Sequence, residues 1–247
     1  MPHTPIETRG LARGTIQRVR QKHLKDLAEQ TLQAVPALLT TDPEPPATKE
    51  VSDDRILAFL IEQGLRPGAA DELTTAFRRV RLLANYYYRQ RSWHDVREHE
   101  TRSFLILPLL LALGWAEQQV KIELPVGRRR RADLACFLRP YDPHRPAKET
   151  DEDCVLILES KGFSQGLDYA PEQAMQYAKR FPNCQTIAVS NGYCYKTYRR
   201  DEQGASGDKP AAYINLLRPR DRYPLDPKNV DGCLEALRLL MPSSYAK

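Results

Sequence analysis

The sequence has no apolar segment long enough to cross a membrane. Its longest apolar run, from Leu105 to Trp115, is too short for a span and contains Pro108, which is typical of a buried helix. Residues 1–25 are polar and mostly basic and include no apolar signal segment, so we expect a cytoplasmic protein. A basic amphipathic start can also resemble an organelle transit peptide, but no cleavage site is recognisable.

Cysteine is scarce, and its spacing argues against two kinds of site. The five cysteines contain no CxxC pair, so neither a zinc site nor a disulfide framework is expected. They are Cys136, Cys154, Cys184, Cys194 and Cys233. The sequence also lacks a GxxxxGK[ST] loop, which argues against a nucleotide-driven motor.

Positive charge exceeds negative charge only slightly, by a net +5, but it is clustered. Four consecutive arginines are Arg128, Arg129, Arg130 and Arg131. Two further clusters are Arg78, Arg79, Arg81, Arg89 and Arg91, and Arg9, Arg13, Arg18, Arg20, Lys22 and Lys25. Any one cluster could be a solvated face, whereas three together favour a polyanionic partner such as nucleic acid.

The first third of the chain has helical periodicity. Apolar residues at helical spacing predict helices over about 14–40, from Ser52 to about Gly64, and over about 70–89. A proline-rich loop near 40–48 separates the first two. We therefore expect residues 1–92 to form an all-helical N-terminal appendage, which could bind a protein partner or a second copy of the chain.

Residues 93–247 alternate between helical and strand-like patterns. We predict a helix ending at Gly114, a helix over 172–180 and a closing helix over 230–240. Predicted strands cover 118–125, 132–138, 155–161, 185–190, 193–199 and 213–216, and 141–153 is a charged connection. Asn191-Gly192 is a strong hairpin signal. The order indicates an α/β domain with a central mixed sheet flanked by helices.

Two charged residues end the most apolar predicted strand, Val155–Lys161. Side chains alternate along a strand, so Glu159 and Lys161 point the same way. Buried charges need a partner, and an ion pair at the strand end would suffice. Alternatively, the carboxylate binds Mg²⁺ or Mn²⁺ while the ammonium stabilises charge or helps to deprotonate water.

A second carboxylate stands on the preceding predicted strand. Asp133 follows the four arginines and could approach Glu159 if the two strands are neighbours, or it could simply cap a turn. The segment Asp226-Pro227-Lys228 has the same (D/E)xK spacing, but it contains proline and follows no apolar run, so we reject it.

Two helical segments carry further candidates. Gln173 and Tyr177 are four residues apart on one helix face and could support a substrate or a catalytic group, or could be ordinary surface and core residues. Glu98 and Glu100 begin a helix, where acidic residues also favour the helix dipole. One of them could help to hold a metal ion or its water.

These motifs together resemble the N-terminal nuclease domain of type I restriction enzyme motor subunits and, more generally, PD-(D/E)xK nucleases. The resemblance covers about 96–247. It implies a restriction-endonuclease-like core in which Asp133, Glu159 and the backbone carbonyl of Ser160 hold Mg²⁺ or Mn²⁺. Lys161 would be the catalytic lysine. Gln173 and Tyr177 would form a QxxxY element, and Glu98, or as second choice Glu100, would be the helix carboxylate.

The sequence departs from that family in two respects. Alanine precedes Asp133 where the superfamily name has proline, and no helicase motor follows the domain. The sequence therefore predicts a stand-alone relative, a Mg²⁺-dependent deoxyribonuclease acting in restriction, defence or repair. The alternatives are a nucleic-acid-binding or interaction subunit of a larger assembly with little activity, and an interaction role for residues 1–92.

Overall fold

The structure is a computed structural model that describes residues 48–90, 93–127, 130–168, 170–201 and 207–245. The chain divides between Pro45 and Pro46 into two compact units, and everything described here belongs to the second. Among the described residues, no helix is both long enough and apolar enough to cross a membrane.

Six strands form one mixed sheet in the order β1-β2-β3-β4-β5-β6. The strands are β1 Val120–Pro125, β2 Arg131–Phe137, β3 Cys154–Ser160, β4 Thr186–Ser190, β5 Cys194–Arg199 and β6 Ala212–Asn215. All neighbours are antiparallel except β3 and β4, which are parallel. A parallel pair needs a crossover connection, and a helix lies in the segment that joins β3 to β4.

Six helices surround the sheet in the described ranges. They are α1 Asp53–Glu62, α2 Ala70–Gln90, α3, α4 Ala147–Asp153, α5 Ala170–Ala178 and α6 Cys233–Arg238. The helix α3 has three consecutive parts, namely Glu98–Thr101, a π-helical turn Arg102–Ile106, and Leu107–Ala112. Short 3₁₀ turns lie at Pro67–Ala69, Trp93–Asp95, Glu117–Gln119 and Pro242–Ser244.

The centre of the sheet is buried on both faces, as the apolar composition of β3 predicts, whereas β1 at one edge is mostly exposed. Every residue of β3 is buried. Alternate residues sort into two cores, so that Leu134 and Leu158 pack with α1, α2 and α3, whereas Ala135 and Ile157 pack with α5. The predicted α/β architecture with a central mixed sheet is confirmed.

The helices α1 and α2 belong to the same core as the sheet. Ser52, at the predicted start of α1, caps the helix by accepting a hydrogen bond from the N–H of Arg55. Leu60 and Phe77 are buried in the cluster that includes Leu134. The expected boundary near residue 92 therefore does not separate two cores, and the compact unit begins at Pro46. The helix predicted over 14–40 lies outside the described residues.

The connection from β2 to β3 is more ordered than predicted. The sequence suggested only a charged connection over 141–153, and Ala147–Asp153 within it forms a helix. Its last residue, Asp153, is buried and pairs with Arg139 and Arg145. Both arginines precede the helix in the same connection, so these ion pairs hold its last residue against the segment that leads into it.

Candidate active site

The sheet register places the two predicted carboxylates side by side. In the antiparallel pair of β2 and β3, Leu134 stands opposite Leu158. Because the strands run in opposite directions, the residue before Leu134 neighbours the residue after Leu158. These residues are Asp133 and Glu159. Strand pairing alone therefore holds both carboxylates at one end of β3.

Both carboxylate oxygens of Asp133 accept hydrogen bonds. The atom Oδ2 accepts from the backbone N–H and from the hydroxyl of Ser160, each at 2.7 Å. The atom Oδ1 accepts from Nη1 of Arg102 at 2.8 Å. Asp133 is thus fixed to the strand that carries Glu159 and also to the start of the π-helical turn in α3.

Glu159 is buried, and one of its oxygens has no partner. Its Oε1 accepts a hydrogen bond from Nζ of Lys161 at 2.9 Å. Its Oε2 is buried without any hydrogen-bond partner among the described residues. Burial, reinforced by the neighbouring charge of Asp133, raises the pKa of Glu159 to about 7 even though Lys161 lowers it. An unpaired buried carboxylate oxygen is costly unless a cation or a proton satisfies it.

Lys161 bridges Glu159 and α3. Its Nζ lies 3.7 Å from Oε1 of Glu98, in addition to the hydrogen bond with Glu159. Burial opposes the charged form, but the hydrogen bond to Glu159 and the nearby carboxylates together raise the pKa of Lys161 above its ordinary value. The ammonium therefore remains charged at neutral pH, so Lys161 is suited to stabilise anionic charge.

Glu98 and Glu100, the two candidates for the helix carboxylate, have different surroundings in the structure. Glu98 lies close to Lys161, as above. Glu100 accepts a hydrogen bond from the backbone N–H of Arg97 through Oε2 at 3.2 Å, so it helps to cap α3. The fold thus brings Glu98 to the lysine.

A cleft of about 600 Å³ opens beside Asp133. Its lining includes His94, Arg97, Glu98, His99, Arg102, Glu123, Asp133 and Gln165. The walls are therefore mostly polar and carry both signs of charge. Such a lining suits a polar, charged ligand better than an apolar one.

Gln173 and Tyr177 meet each other but not the carboxylates. On α5, Nε2 of Gln173 donates to the hydroxyl of Tyr177 at 2.8 Å, as their spacing predicts. In the described ranges, no hydrogen bond joins either residue to Asp133, Glu159 or Lys161. The two residues thus form a local contact on α5, and the structure does not bring them into hydrogen-bond contact with the candidate catalytic residues.

The structure describes two of the four consecutive arginines, Arg130 and Arg131. Arg128 and Arg129 lie outside the described residues. Arg130 is exposed and donates to Gln176 at 3.0 Å. Arg131 is exposed and lies 3.5 Å from Oε2 of Glu123, which lines the cleft. Arg131 therefore contacts one residue of the cleft wall, whereas the contact of Arg130 is with α5.

Two charged residues of the site were not predicted from the sequence. Arg102 reaches Asp133 from α3 and also donates to Oε1 of Glu123 at 2.7 Å. Glu123 is on β1, between Ile122, which pairs with Leu134 of β2, and Leu124, which pairs with Ala132. This register places Glu123 opposite Asp133. No local motif marks either residue, because the contact depends on strand register and on the π-helical turn.

The predicted hairpin holds the end of β3 in place. The N–H of Lys161 donates to the carbonyl of Ser190 at 2.8 Å. Gly192 adopts a φ of +95°, and an added Cβ there would lie 2.5 Å from Leu105. The Asn191-Gly192 turn therefore fits between the end of β3 and helix α3, and its glycine is needed both for the turn and for the close contact.

The donors present fit a magnesium or manganese ion. Asp133 and Glu159 supply hard oxygens, and the buried Oε2 of Glu159 has no hydrogen-bond partner among the described residues. No group of three or more His, Cys, Asp or Glu side chains is arranged to hold a metal ion in the part of the chain that is described. An ion held here would therefore need water and substrate oxygens to complete its shell, as Mg²⁺ commonly does.

Comparisons of the chain with protein-family models, with curated proteins and with solved structures gave no match.

Proposed function

We propose that this protein is a metal-dependent nuclease with a restriction-endonuclease-like core of the PD-(D/E)xK type, and that it hydrolyses phosphodiester bonds of DNA. The observation that carries the proposal is the buried, unpartnered Oε2 of Glu159. Glu159 stands at the end of β3, with Asp133 beside it on β2 and Lys161 hydrogen-bonded to it. A structural ion pair between Glu159 and Lys161 alone would not need a second carboxylate beside it.

Each residue has a distinct part in the proposed reaction. Asp133, Glu159 and the backbone carbonyl of Ser160 would hold Mg²⁺ or Mn²⁺. The ion supplies Lewis acidity, which neutralises phosphate charge and lowers the pKa of an attacking water. Lys161 would hold its ammonium against the phosphate and stabilise the charge that develops there. Glu98 lies near enough to Lys161 to keep that ammonium oriented.

Hydrolysis by this arrangement is a single displacement. The water oxygen forms a bond to phosphorus while the bond from phosphorus to the leaving oxygen breaks. One proton of the water passes to solvent, and the leaving oxygen takes up a proton. By the family resemblance, Gln173 and Tyr177, which contact each other on α5, would contribute to the site as its QxxxY element.

Nucleic acid is the substrate class that best fits the surface. Besides exposed Arg130 and Arg131 at the start of β2, exposed Arg78 and Arg79 border a groove with the half-exposed rings of Tyr86 and Phe104. Arginines that contact phosphates beside aromatic rings that stack on bases are typical of nucleic-acid surfaces. The choice of DNA follows from the family resemblance.

A substrate panel tests the proposal. Purified protein is incubated with supercoiled plasmid, linear duplex DNA, single-stranded DNA and RNA, each with Mg²⁺, Mn²⁺ or EDTA. We expect cleavage of DNA with either metal and none with EDTA or with the Glu159→Gln variant. Asp226→Asn, at the rejected motif, is the matched control and should cleave like the parent. Cleavage that persists in EDTA would refute the metal-dependent mechanism.

A second candidate function is a nucleic-acid-binding subunit with little turnover. The observation in its favour is that both oxygens of Asp133 are already occupied, by Ser160 and Arg102. This candidate predicts DNA binding in the same panel without cleavage under any metal condition.

A further inference from the structure

The buried guanidinium of Arg102 forms an ion pair with Asp133, one of the two candidate metal ligands. Its side chain is 9% exposed and pairs with Asp133 through Nη1 and with Glu123 through Nη2. The guanidinium cation thus lies between two carboxylates and contacts both. The metal-free site is therefore neutralised on the Asp133 side by the protein itself.

Two backbone irregularities meet at this arginine. Arg102 is the first residue of the π-helical turn in α3, and single π-turns occur frequently at functional sites. Glu123 has a φ of +52°, and it is the one non-glycine residue with positive φ in the described ranges. Such conformations are unfavourable, and they persist where the surrounding structure holds them in place. Both irregular segments contribute a side chain to the same ion-pair chain, Glu123–Arg102–Asp133.

Arg102 and a divalent cation would compete for Asp133. The atom Oδ2 of Asp133 is engaged by two donors from Ser160, so Oδ1 is the oxygen most available to a metal ion, and Arg102 lies 2.8 Å from it. Magnesium approaches a carboxylate oxygen to about 2.1 Å. Two positive charges on one oxygen repel each other strongly in a buried site. Glu159, by contrast, offers a free oxygen.

We propose that Arg102 is a positioning residue that sets the metal affinity of this site. It holds Asp133 in the metal-free protein and is displaced from Oδ1 when a divalent cation binds. Glu123 is its second anchor, which retains the guanidinium beside the cleft after it leaves Asp133. This inference depends on the proposed metal-dependent nuclease, because it assumes that Asp133 and Glu159 bind a cation.

The two residues should act in opposite directions on metal affinity. Without the competing charge, as in Arg102→Gln, Mn²⁺ should bind at least tenfold more tightly than to the parent. Without the second anchor, as in Glu123→Gln, Arg102 depends on Asp133 alone, so Mn²⁺ should bind severalfold more weakly. In the double variant the effect of Glu123→Gln should largely disappear, because the arginine through which it acts is absent.

Isothermal titration with Mn²⁺ measures these affinities without any assay of cleavage. Arg102→Lys is the second variant in case Arg102→Gln does not fold. A lysine retains the charge but can span the two carboxylates less well, so its affinity should lie between those of the parent and the Gln variant. Arg81→Gln is the matched control, because Arg81 also makes paired bonds to a carboxylate, that of Asp53, outside the cleft.

The outcomes separate this inference from the proposed function. If the parent binds Mn²⁺ in a Glu159-dependent manner and both Arg102 variants bind it equally or more weakly, the inference is wrong while the nuclease proposal stands. If neither the parent nor any Arg102 variant binds Mn²⁺, the metal site itself is wrong and this inference fails with it. If the double variant binds much more weakly than Arg102→Gln, Glu123 contacts the metal directly, which also overturns the anchor role.

Discussion

Asp133 receives two hydrogen bonds from Ser160, one from the backbone N–H and one from the hydroxyl, through the single atom Oδ2. The backbone bond fixes the carboxylate to β3 whatever the side chain at 160. Since Ser160 is adjacent to Glu159, this contact holds Asp133 against the strand that carries Glu159. Both carboxylates thus stand on paired strands and not on flexible loops, as a preorganised cation site requires.

The first prediction concerns metal binding at these carboxylates. Titration of the parent with Mn²⁺ should show binding, and Asp133→Asn or Glu159→Gln should each weaken it by at least tenfold, because each removes one anionic oxygen donor. Glu159→Gln should have the larger effect, since Glu159 contributes the free oxygen. The control is Asp226→Asn. Equal binding by all four proteins would show that the cation binds elsewhere.

The second prediction concerns pH and the metal-free protein in EDTA. The pKa of Glu159 is raised from 4.5 to about 7. Between these values the unfolded chain has lost the proton while the folded protein keeps it, so the free energy of unfolding falls as pH rises. A shift of this size corresponds to roughly 3 kcal/mol.

Glu159→Gln isolates that contribution, because glutamine cannot ionise. Denaturant unfolding at several pH values should show the parent losing stability relative to Glu159→Gln as pH rises from about 4.5 to about 7. A constant difference between the two proteins over this interval would mean that Glu159 titrates normally in the folded state.

Local sequence patterns were sufficient for much of the sheet. The apolar run before Glu159 indicated a fully buried strand, and Asn191-Gly192 indicated the hairpin between β4 and β5. The amphipathic faces of α1 and α2 showed that these helices bury one side. They could not show what the helices cover, so the sequence suggested a separate appendage where the structure has a shared core.

The sequence predicted those contacts of the candidate site that join residues close together in the chain. Glu159 and Lys161 are two residues apart, and strand alternation alone puts them together. Arg102 lies 21 residues from Glu123 and 31 from Asp133, and its contacts require a π-helical turn and a left-handed residue. Neither irregularity has a signature in the residues themselves, because tertiary contacts impose both.

The third prediction tests the fit of the hairpin against α3. In Gly192→Ala the new methyl group would lie 2.5 Å from Leu105 and 2.9 Å from Thr101, at a backbone φ of +95°. The combined strain and overpacking should lower the free energy of unfolding by about 2–4 kcal/mol. Gly68→Ala is the control, because nothing lies within 4 Å of its Cβ position. Similar unfolding midpoints in urea for the two variants would contradict this packing.

The fourth prediction concerns the electrostatic contribution to nucleic-acid binding. Measured in EDTA, affinity for duplex DNA should fall steeply with salt, with a log-log slope of roughly 0.9 for each phosphate contact. The double variant Arg130→Ala with Arg131→Ala should bind more weakly and reduce that slope, whereas Arg55→Ala, on α1, should change neither. A slope that the double variant leaves unchanged would place the DNA elsewhere on the surface.

The last prediction separates chemistry from binding at Lys161. The ammonium is held by Glu159 and Glu98 and stays charged, so its expected part is to stabilise charge on the phosphate. Lys161→Ala should therefore lower the cleavage rate by on the order of 10²-fold or more, while DNA affinity in EDTA stays near that of the parent. Lys228→Ala is the control, because Lys228 is exposed in the rejected motif Asp226-Pro227-Lys228.

Two results would count against this assignment in different ways. If Lys161→Ala fails to fold, as judged by circular dichroism, Lys161→Met replaces it, since methionine keeps the stem of the side chain without the charge. If both variants unfold, the lysine serves chiefly as the partner of buried Glu159. If a folded Lys161 variant cleaves DNA like the parent, the ammonium takes no part in catalysis, and the nuclease centre must lie away from the end of β3.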